Sequence, residues 1–112
     1  MKHIIAVIRP EKLDDVRTAL EKVGYAGLMI SEIEGHGKQK GIVQQWRGEK
    51  YKVDLIPKIK LEVVTQDAEA PLIIKTIIDN ARTGEIGDGK IFVSTVDEVI
   101  RIRTGETGET AL

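Results

Sequence analysis

A short glycine-rich segment, Thr83-Gly-Glu-Ile-Gly-Asp-Gly-Lys90, contains the residues best suited to hold an anion. Its glycines can adopt positive φ angles and bring the backbone close to a ligand, so that successive N–H groups form a concave anion site. Lys90 adds a positive charge at the end of the segment. We expect the side chain of Asp88 to fix the loop by accepting hydrogen bonds from its backbone N–H groups. The segment is therefore predicted to be a phosphate-binding loop.

Gly84 to Lys90 also fits the pattern G-x-x-x-x-G-K of the P-loop nucleotide hydrolases. Two observations argue against that assignment. Ile91 stands where a P-loop has a Ser or Thr hydroxyl for magnesium, and the predicted order is helix, loop, strand rather than strand, loop, helix. The loop is thus predicted to bind phosphate without belonging to that class.

Arg101 and Arg103 are separated by one apolar residue. On a strand, two such side chains project from one face about 6.6 Å apart, a spacing that suits a di- or triphosphate. A solvated basic edge strand would explain the pair if it stood alone. Together with the glycine loop and Lys90, a polyphosphate ligand is the better interpretation.

Hydrophobic periodicity predicts the elements that must position these residues. Two helices are predicted, from Pro10 to a stop at Gly24 and from Pro71 to Ala81. Strands are predicted at 3–9, 28–34, 58–65 and 90–96, with a short final strand at 99–103. Between 35 and 54 neither helical nor strand periodicity holds, and this stretch is predicted to be a long loop.

The order strand, helix, strand, loop, strand, helix, strand favours an α+β, ferredoxin-like βαββαβ sandwich, with both helices on one face of a four-stranded antiparallel sheet. The chain of 112 residues is expected to form one domain. Apolar residues on both sides of the first strand indicate that something covers the other face of the sheet. We therefore expect a homo-oligomer.

The long loop is strongly basic. Six Lys or Arg residues between 38 and 58 against Glu49 and Asp54 give a local charge of +4, within a protein of net charge −1. The loop also contains Trp46-Arg47 and Tyr51, residue types enriched at binding hot spots. A solvated loop is the simpler explanation, but the Trp-Arg pair favours a docking element.

Composition and residue spacing argue against a disulfide-stabilised, membrane-spanning, metal-binding or nucleophilic enzyme function. There is no cysteine for a disulfide or thiolate site, and no apolar stretch approaches the 18 or so residues of a membrane span. His3 and His36 have no second metal ligand at useful spacing, and no nucleophile has an adjacent base. We expect a soluble, cytoplasmic protein that is not an enzyme.

The sequence resembles the PII nitrogen-regulatory signal transduction proteins over essentially all 112 residues. Residues 83–93 resemble the C-terminal signature of that family, and residues 101–106 its closing segment. Gly35-His-Gly-Lys-Gln-Lys-Gly41 and Trp46-Arg-Gly-Glu-Lys-Tyr51 resemble the two ends of its T-loop. The resemblance implies a homotrimer with ATP or ADP bound between neighbouring subunits. It also implies a T-loop at about 37–55, a nucleotide loop at 82–90, and a strand and tail at 99–112.

The resemblance also implies ligands for individual residues. Lys90, Arg101 and Arg103 would bind the phosphates, and Glu62 and Val64 would line the base and ribose. The other nucleotide-binding residues would be Gly35, Gly37, Lys38, Gln39, Thr83, Gly87, Asp88 and Gly89. The 2-oxoglutarate site would comprise Gln39, Lys40, Gly41, Lys58 and Gly87, with Gln39 also ligating a Mg²⁺ ion that bridges 2-oxoglutarate and ATP.

By the same resemblance, Trp46, Arg47 and Tyr51 would bind partner proteins. The implied partners are an ammonium transporter, which Arg47 would plug and which would recruit the protein reversibly to the membrane, and glutamine synthetase as a second target. Tyr51 matches a position that is uridylylated in some bacterial members. The sequence departs from the family pattern at Trp46, where a tyrosine is usual, and at Met29, where a threonine commonly contacts adenine.

Two other functions share this fold. A small nucleotide phosphatase or ATPase is compatible with the glycine loop and the arginines, but no catalytic base is evident. An RNA-binding module would need exposed aromatic residues on the central strands, and Phe92, Tyr25 and Tyr51 do not supply them. We therefore expect no nucleic-acid partner.

Overall fold

The structure is a computed structural model. It describes the backbone of residues 1–25, 27–35, 42–46, 49–53 and 56–112, and the side chains of residues 1–25, 27–34 and 56–112. The chain forms two helices, α1 (Leu13–Lys22) and α2 (Ala70–Ala81), and six strands; α1 follows the first strand and α2 precedes the last. The strands are β1 (Lys2–Ile8), β2 (Met29–Gly35), β3 (Ile42–Trp46), β4 (Glu49–Val53), β5 (Ile56–Thr65) and β6 (Lys90–Thr95). No helix in the described ranges is long and apolar enough to cross a bilayer.

Four of the strands form an antiparallel sheet in the order β2-β5-β1-β6. This is the strand order of the ferredoxin-like split βαβ fold, because each helix connects two strands that are not neighbours. The predicted α+β class and topology are therefore confirmed. The predicted helix stop is also confirmed, since Gly24 follows α1 with a φ of 98°.

One face of the sheet packs against both helices and forms the core. Alternate residues of β1 and β5 point into it, and Ile59, Leu61 and Val63 of β5 are buried. Ile73 of α2 is fully buried, and Ile74 is partly buried and packs against the core. The buried set is Ile4, Ala6, Ile8, Val16, Leu20, Ile59, Leu61, Val63, Ala70, Ile73, Ile77 and Ala81.

The outer strands of this sheet, β2 and β6, carry exposed apolar residues. Met29 and Ile30 on β2 are 51% and 42% exposed, and Phe92 and Val93 on β6 are 54% and 47% exposed. Neither strand has a second partner among the described residues. The homo-oligomer that the sequence predicts would cover such residues, and it stays a prediction.

The prediction that strand periodicity is absent between 35 and 54 is wrong, because this long loop contains a β-hairpin. Strands β3 and β4 pair in antiparallel register from Ile42 opposite Val53 to Trp46 opposite Glu49. β-branched and aromatic residues favour strands, and the two residues between the strands are the spacing of a tight hairpin. The surrounding glycines obscure this signal in the sequence.

The predicted strand at 99–103 is also wrong. Only one isolated bridge forms there, between Ile100 and Thr107. The chain instead turns back on itself: the Arg101 N–H donates to the Glu106 carbonyl, and the Gly108 N–H donates to the Val99 carbonyl. This local closure outcompetes pairing with the sheet.

Candidate functional site

The glycine loop is organised around the carboxylate of Asp88. Oδ2 accepts hydrogen bonds from the backbone N–H groups of Thr83 (2.9 Å) and Gly84 (2.8 Å). Oδ1 accepts from the Thr83 hydroxyl (2.5 Å) and from Arg9 Nε (3.0 Å). The prediction that Asp88 fixes the loop is confirmed, and these bonds join the end of α2, the loop and the end of β1.

These donors hold the pKa of the Asp88 carboxyl well below its usual range. The Thr83 hydroxyl has the largest effect, and Arg9 and the backbone N–H groups of Gly84 and Thr83 add to it, together outweighing partial desolvation. Hydrogen bonds to an ionised carboxylate favour the charged form. Asp88 is therefore an anion throughout the physiological range and serves as a fixed structural charge.

Arg9 is a residue that the sequence analysis missed. It pairs with Asp88, and its Nη2 also donates to the carbonyl of Ile86 (2.8 Å). Its side chain is only 15% exposed. In the sequence, Arg9 is a single arginine between an apolar strand and a proline. That position indicates the end of the strand and does not by itself indicate a functional residue.

The backbone of the loop lies directly against β1. Gly89 has a φ of 96°, and a Cβ atom built on it would lie 1.7 Å from the Val7 carbonyl oxygen. No side chain fits there, because real contacts of this kind are about twice as long. Gly84 and Gly87 also have positive φ angles. The close backbone approach predicted for the glycines thus occurs, and it fixes Lys90 as the first residue of β6.

Lys58 reaches this loop from β5. Its Nζ donates to the Gly87 carbonyl (2.5 Å). Burial, and secondly the charge of Arg9, lower the pKa of the Lys58 ammonium. Two cations, Lys58 and Arg9, therefore converge on the loop, and the structure brings together five predicted site residues: Lys58, Thr83, Gly87, Asp88 and Gly89.

A cleft of about 420 Å³ opens beside the loop, between α2 and β6. One wall is apolar, and Arg82, Asp88 and Lys90 supply polar groups. The cleft is lined by Val7, Ile8, Ile74, Ile78, Ala81, Arg82, Asp88, Gly89, Lys90, Ile91 and Val93.

Arg101 and Arg103 do not line the cleft that Lys90 lines. Lys90 begins β6 opposite Val7, whereas Thr95 ends the strand opposite Lys2. These ends lie roughly 17 Å apart, and the arginines follow the far end. They also do not project from one strand face, because the predicted strand is absent. Arg103 is exposed, whereas Arg101 contacts Glu106 and Thr110.

Glu62 and Val64 lie on the sheet face away from the helices. The Glu62 carboxylate is 3.5 Å from the Lys60 ammonium, and Val64 pairs with His3. Gly35 ends β2, and Trp46 and Tyr51 lie in β3 and β4. The other predicted ligand and partner residues, Gly37, Lys38, Gln39, Lys40, Gly41 and Arg47, lie outside the described residues.

Comparison with known proteins identifies relatives over the full chain. The family model described as "Nitrogen regulatory protein P-II" matches residues 1–106. The chain is 52% identical over 112 residues to nitrogen regulatory protein P-II 2 of Methanothermobacter thermautotrophicus, covering 97% of that protein. It is 54% identical to nitrogen regulatory protein P-II of Rhizobium meliloti and 51% identical to that of Pasteurella multocida, each time over the whole of both chains.

Asp88→Asn should destabilise the fold at neutral pH, because four donors, Arg9 among them, lose an anionic acceptor. A depressed folded-state pKa stabilises the native state above the unfolded-state pKa, and this contribution is lost as the pH falls below about 4. The difference in unfolding free energy between wild type and Asp88→Asn should therefore shrink as the pH is lowered from 5 toward 2. Urea unfolding at a series of pH values measures it.

Asp14→Asn is the matched control. Asp14 also pairs with an arginine, Arg17, but its side chain is 85% exposed. Surface substitutions of this kind change stability by at most about 0.5 kcal/mol. A difference between wild type and Asp88→Asn that does not change with pH would contradict the assignment of Asp88 as the fixed charge.

Proposed function

This chain belongs to the P-II family of nitrogen regulatory proteins, and on that premise we propose that it signals nitrogen and energy status by binding ATP or ADP together with 2-oxoglutarate. In this proposal it regulates an ammonium transporter through the segment 37–55, with glutamine synthetase as a second target. The observation that carries the proposal is the rigid glycine loop fixed by Asp88. That loop turns through Gly87 and Gly89, which have positive φ angles, and Lys58 and Lys90 lie beside it.

A nucleotide polyphosphate suits the chemistry of this loop. Positive φ angles at Gly87 and Gly89 turn the backbone as an anion-binding concavity requires. Lys90 and Lys58 supply positive charge, and Asp88 is already saturated by its own donors, so that it competes little for these lysines. These features support the proposal that the loop binds the phosphates of a nucleotide.

The position of the arginines supports a site shared between copies of the chain. Arg101 and Arg103 are not among the residues that line the cleft beside Lys90, which favours a site completed by another copy of the chain. In a trimer, the arginines of one subunit would complete the site of its neighbour, as the family resemblance implies. The exposed apolar residues on β2 and β6 are consistent with such an assembly.

Lys58 is the residue best placed to bind a carboxylate of 2-oxoglutarate, since it already reaches the loop at Gly87. The described residues contain no group of three His, Cys, Asp or Glu side chains suited to a metal ion. Mg²⁺ commonly takes much of its octahedral shell from phosphate oxygens and water. It would therefore rely on ATP, 2-oxoglutarate and Gln39, which agrees with the bridged site proposed from the sequence.

Ligand binding would act on the partner through the conformation of 37–55. Magnesium, ATP and 2-oxoglutarate together would select one arrangement and ADP another, and only the second would fit the transporter. Ligands shift such an equilibrium only by their different affinities for the two forms. The hairpin β3–β4 provides the element that would be presented to the partner.

A nucleotide phosphatase or ATPase is the alternative function. The curated relatives are named as regulatory proteins. The glycine loop contains two carboxylates: Asp88 is engaged by four donors and has a lowered pKa, so it is a poor general base, and Glu85 is exposed. Steady ATP turnover in an assay would revive this alternative.

Lys90→Ala and Arg101→Ala should each weaken ATP binding by about 10- to 100-fold, because each removes a charged donor to phosphate. Co-expression of the two variants tests whether the site is shared. If Lys90 of one subunit acts with Arg101 of the next, each mixed trimer regains one tight site. Calorimetric titration of ATP into purified mixed assemblies measures the number of tight sites. Mixed assemblies without a tight site would contradict a shared site.

Binding of 2-oxoglutarate should require both ATP and Mg²⁺. 2-Oxoglutarate is titrated into protein that already contains ATP and Mg²⁺, ATP and a chelator, or ADP and Mg²⁺. Heat of 2-oxoglutarate binding should be seen only with ATP and Mg²⁺. Lys58→Met should weaken 2-oxoglutarate binding at least about tenfold, whereas Lys75→Met, on the exposed face of α2, should not. Undiminished binding without ATP and Mg²⁺ would rule out the bridged site.

Arg47→Ala should abolish capture of the detergent-solubilised ammonium transporter while leaving nucleotide affinity unchanged. The reason is that the docking segment and the phosphate loop are proposed to have separate roles. Lys22→Ala, an exposed basic residue at the end of α1, is the control and should retain capture. Weakened ATP binding in Arg47→Ala would contradict the division of roles.

A further inference from the structure

Residues 99–111 form a closed turn, which we call the 99–111 turn. Its two arms are joined by the bridge between Ile100 and Thr107 and by the hydrogen bond from the Gly108 N–H to the Val99 carbonyl (3.1 Å). A single turn of 3-10 helix, Glu109–Ala111, then packs back, and Ala111 is 9% exposed. The segment is thus folded on itself.

The 99–111 turn holds the side chain of Arg101 from two sides. Arg101 Nη2 donates to the Thr110 carbonyl (3.0 Å), and Nη1 lies 3.5 Å from Glu106 Oε2. The Arg101 backbone N–H also donates to the Glu106 carbonyl (2.9 Å). Of the five N–H groups of the guanidinium, these contacts leave Nε without a partner among the described residues. The side chain is therefore oriented but still able to bind an anion.

Arg103 provides an internal comparison. It lies two residues away in the same turn, is exposed, and forms no ion pair or side-chain hydrogen bond with a described residue. The two arginines that the proposed function assigns to one polyphosphate therefore differ. Only Arg101 is held by contacts within the turn.

Closure of the turn depends on Gly108. Its φ of 79° and ψ of −161° lie in a region that is open essentially only to glycine. No atom lies within 4 Å of a Cβ built at this position. A side chain at residue 108 would therefore strain the backbone without a steric clash. The strain would disturb the closure of the turn, because residue 108 bonds to Val99 and directly precedes the 3-10 turn that contains Thr110.

We propose that the 99–111 turn is a positioning element that orders Arg101 for binding of a nucleotide polyphosphate. This inference rests on the proposed function and adds a role for residues 106–111 that do not themselves need to touch the ligand. Fixing one rotamer-rich side chain on binding costs enough to weaken affinity several-fold. A turn that has already fixed the arginine removes that cost.

Gly108→Ala tests this role. In titration calorimetry with ATP and with ADP, it should weaken binding by about three- to tenfold, the cost of ordering one long side chain. The effect should disappear in an Arg101→Ala background, because no ordered arginine is left to lose, and persist in an Arg103→Ala background. An equal effect of Gly108→Ala in both backgrounds would overturn the proposal.

Gly24→Ala is the matched control. Gly24 also has a positive φ and open space around the position that a Cβ would take, but it ends α1. The substitution should lower thermal stability and leave nucleotide affinity unchanged. If wild type binds no nucleotide, the proposed function fails and this inference fails with it. If wild type binds and Gly108→Ala binds equally well, only this inference fails.

Two further measurements cover the case in which Gly108→Ala does not fold. Ala111→Gly loosens the same 3-10 turn without strain and should weaken nucleotide binding by about twofold. In the nucleotide-free protein, nitrogen-15 relaxation of the Arg101 Nε–H group should show higher order than that of Arg103. Equal order in the two side chains would overturn the proposal.

Discussion

A single partly buried charge, the Asp88 carboxylate, determines how the site is built. Its four hydrogen bonds come from the end of β1 through Arg9 and from the residues that follow α2, so it ties a strand, a helix and a loop together. With these bonds made, the chain must pass Val7 at a distance that excludes any side chain at residue 89. The position of Lys90 and the start of β6 follow from that constraint.

Local signals were sufficient to predict most of the fold. Alternation in β5, helical spacing in α1 and the glycine at residue 24 each report on the few residues around them, and together they define the order of elements and hence the sheet. The glycine loop and the role of Asp88 could be predicted for the same reason, because the carboxylate bonds to backbone within five residues of it. Interactions between residues that are close in sequence can be predicted from local sequence patterns.

The features that sequence did not predict depend on distant or competing contacts. Arg9 meets Asp88 across 79 residues, and no periodicity reports such a pair. The strand expected at 99–103 has the right residue types, but glycines at 105 and 108 let the chain close locally instead. The hairpin β3–β4 was missed because flanking glycines masked two short strands. In each case a contact that local periodicity does not report decides the structure.

The two outer edges of the main sheet have a consequence for handling the protein. Within the described ranges, β2 and β6 each leave one edge of backbone N–H and C=O groups without a strand partner, next to exposed Met29, Ile30, Phe92 and Val93. Such edges template pairing between chains and lead toward insoluble aggregates. Glu32 and Lys90 place charges on these strands, which opposes stacking of like edges. The tendency of the protein to aggregate at high dilution or during refolding should therefore depend on how quickly another chain covers these strand edges.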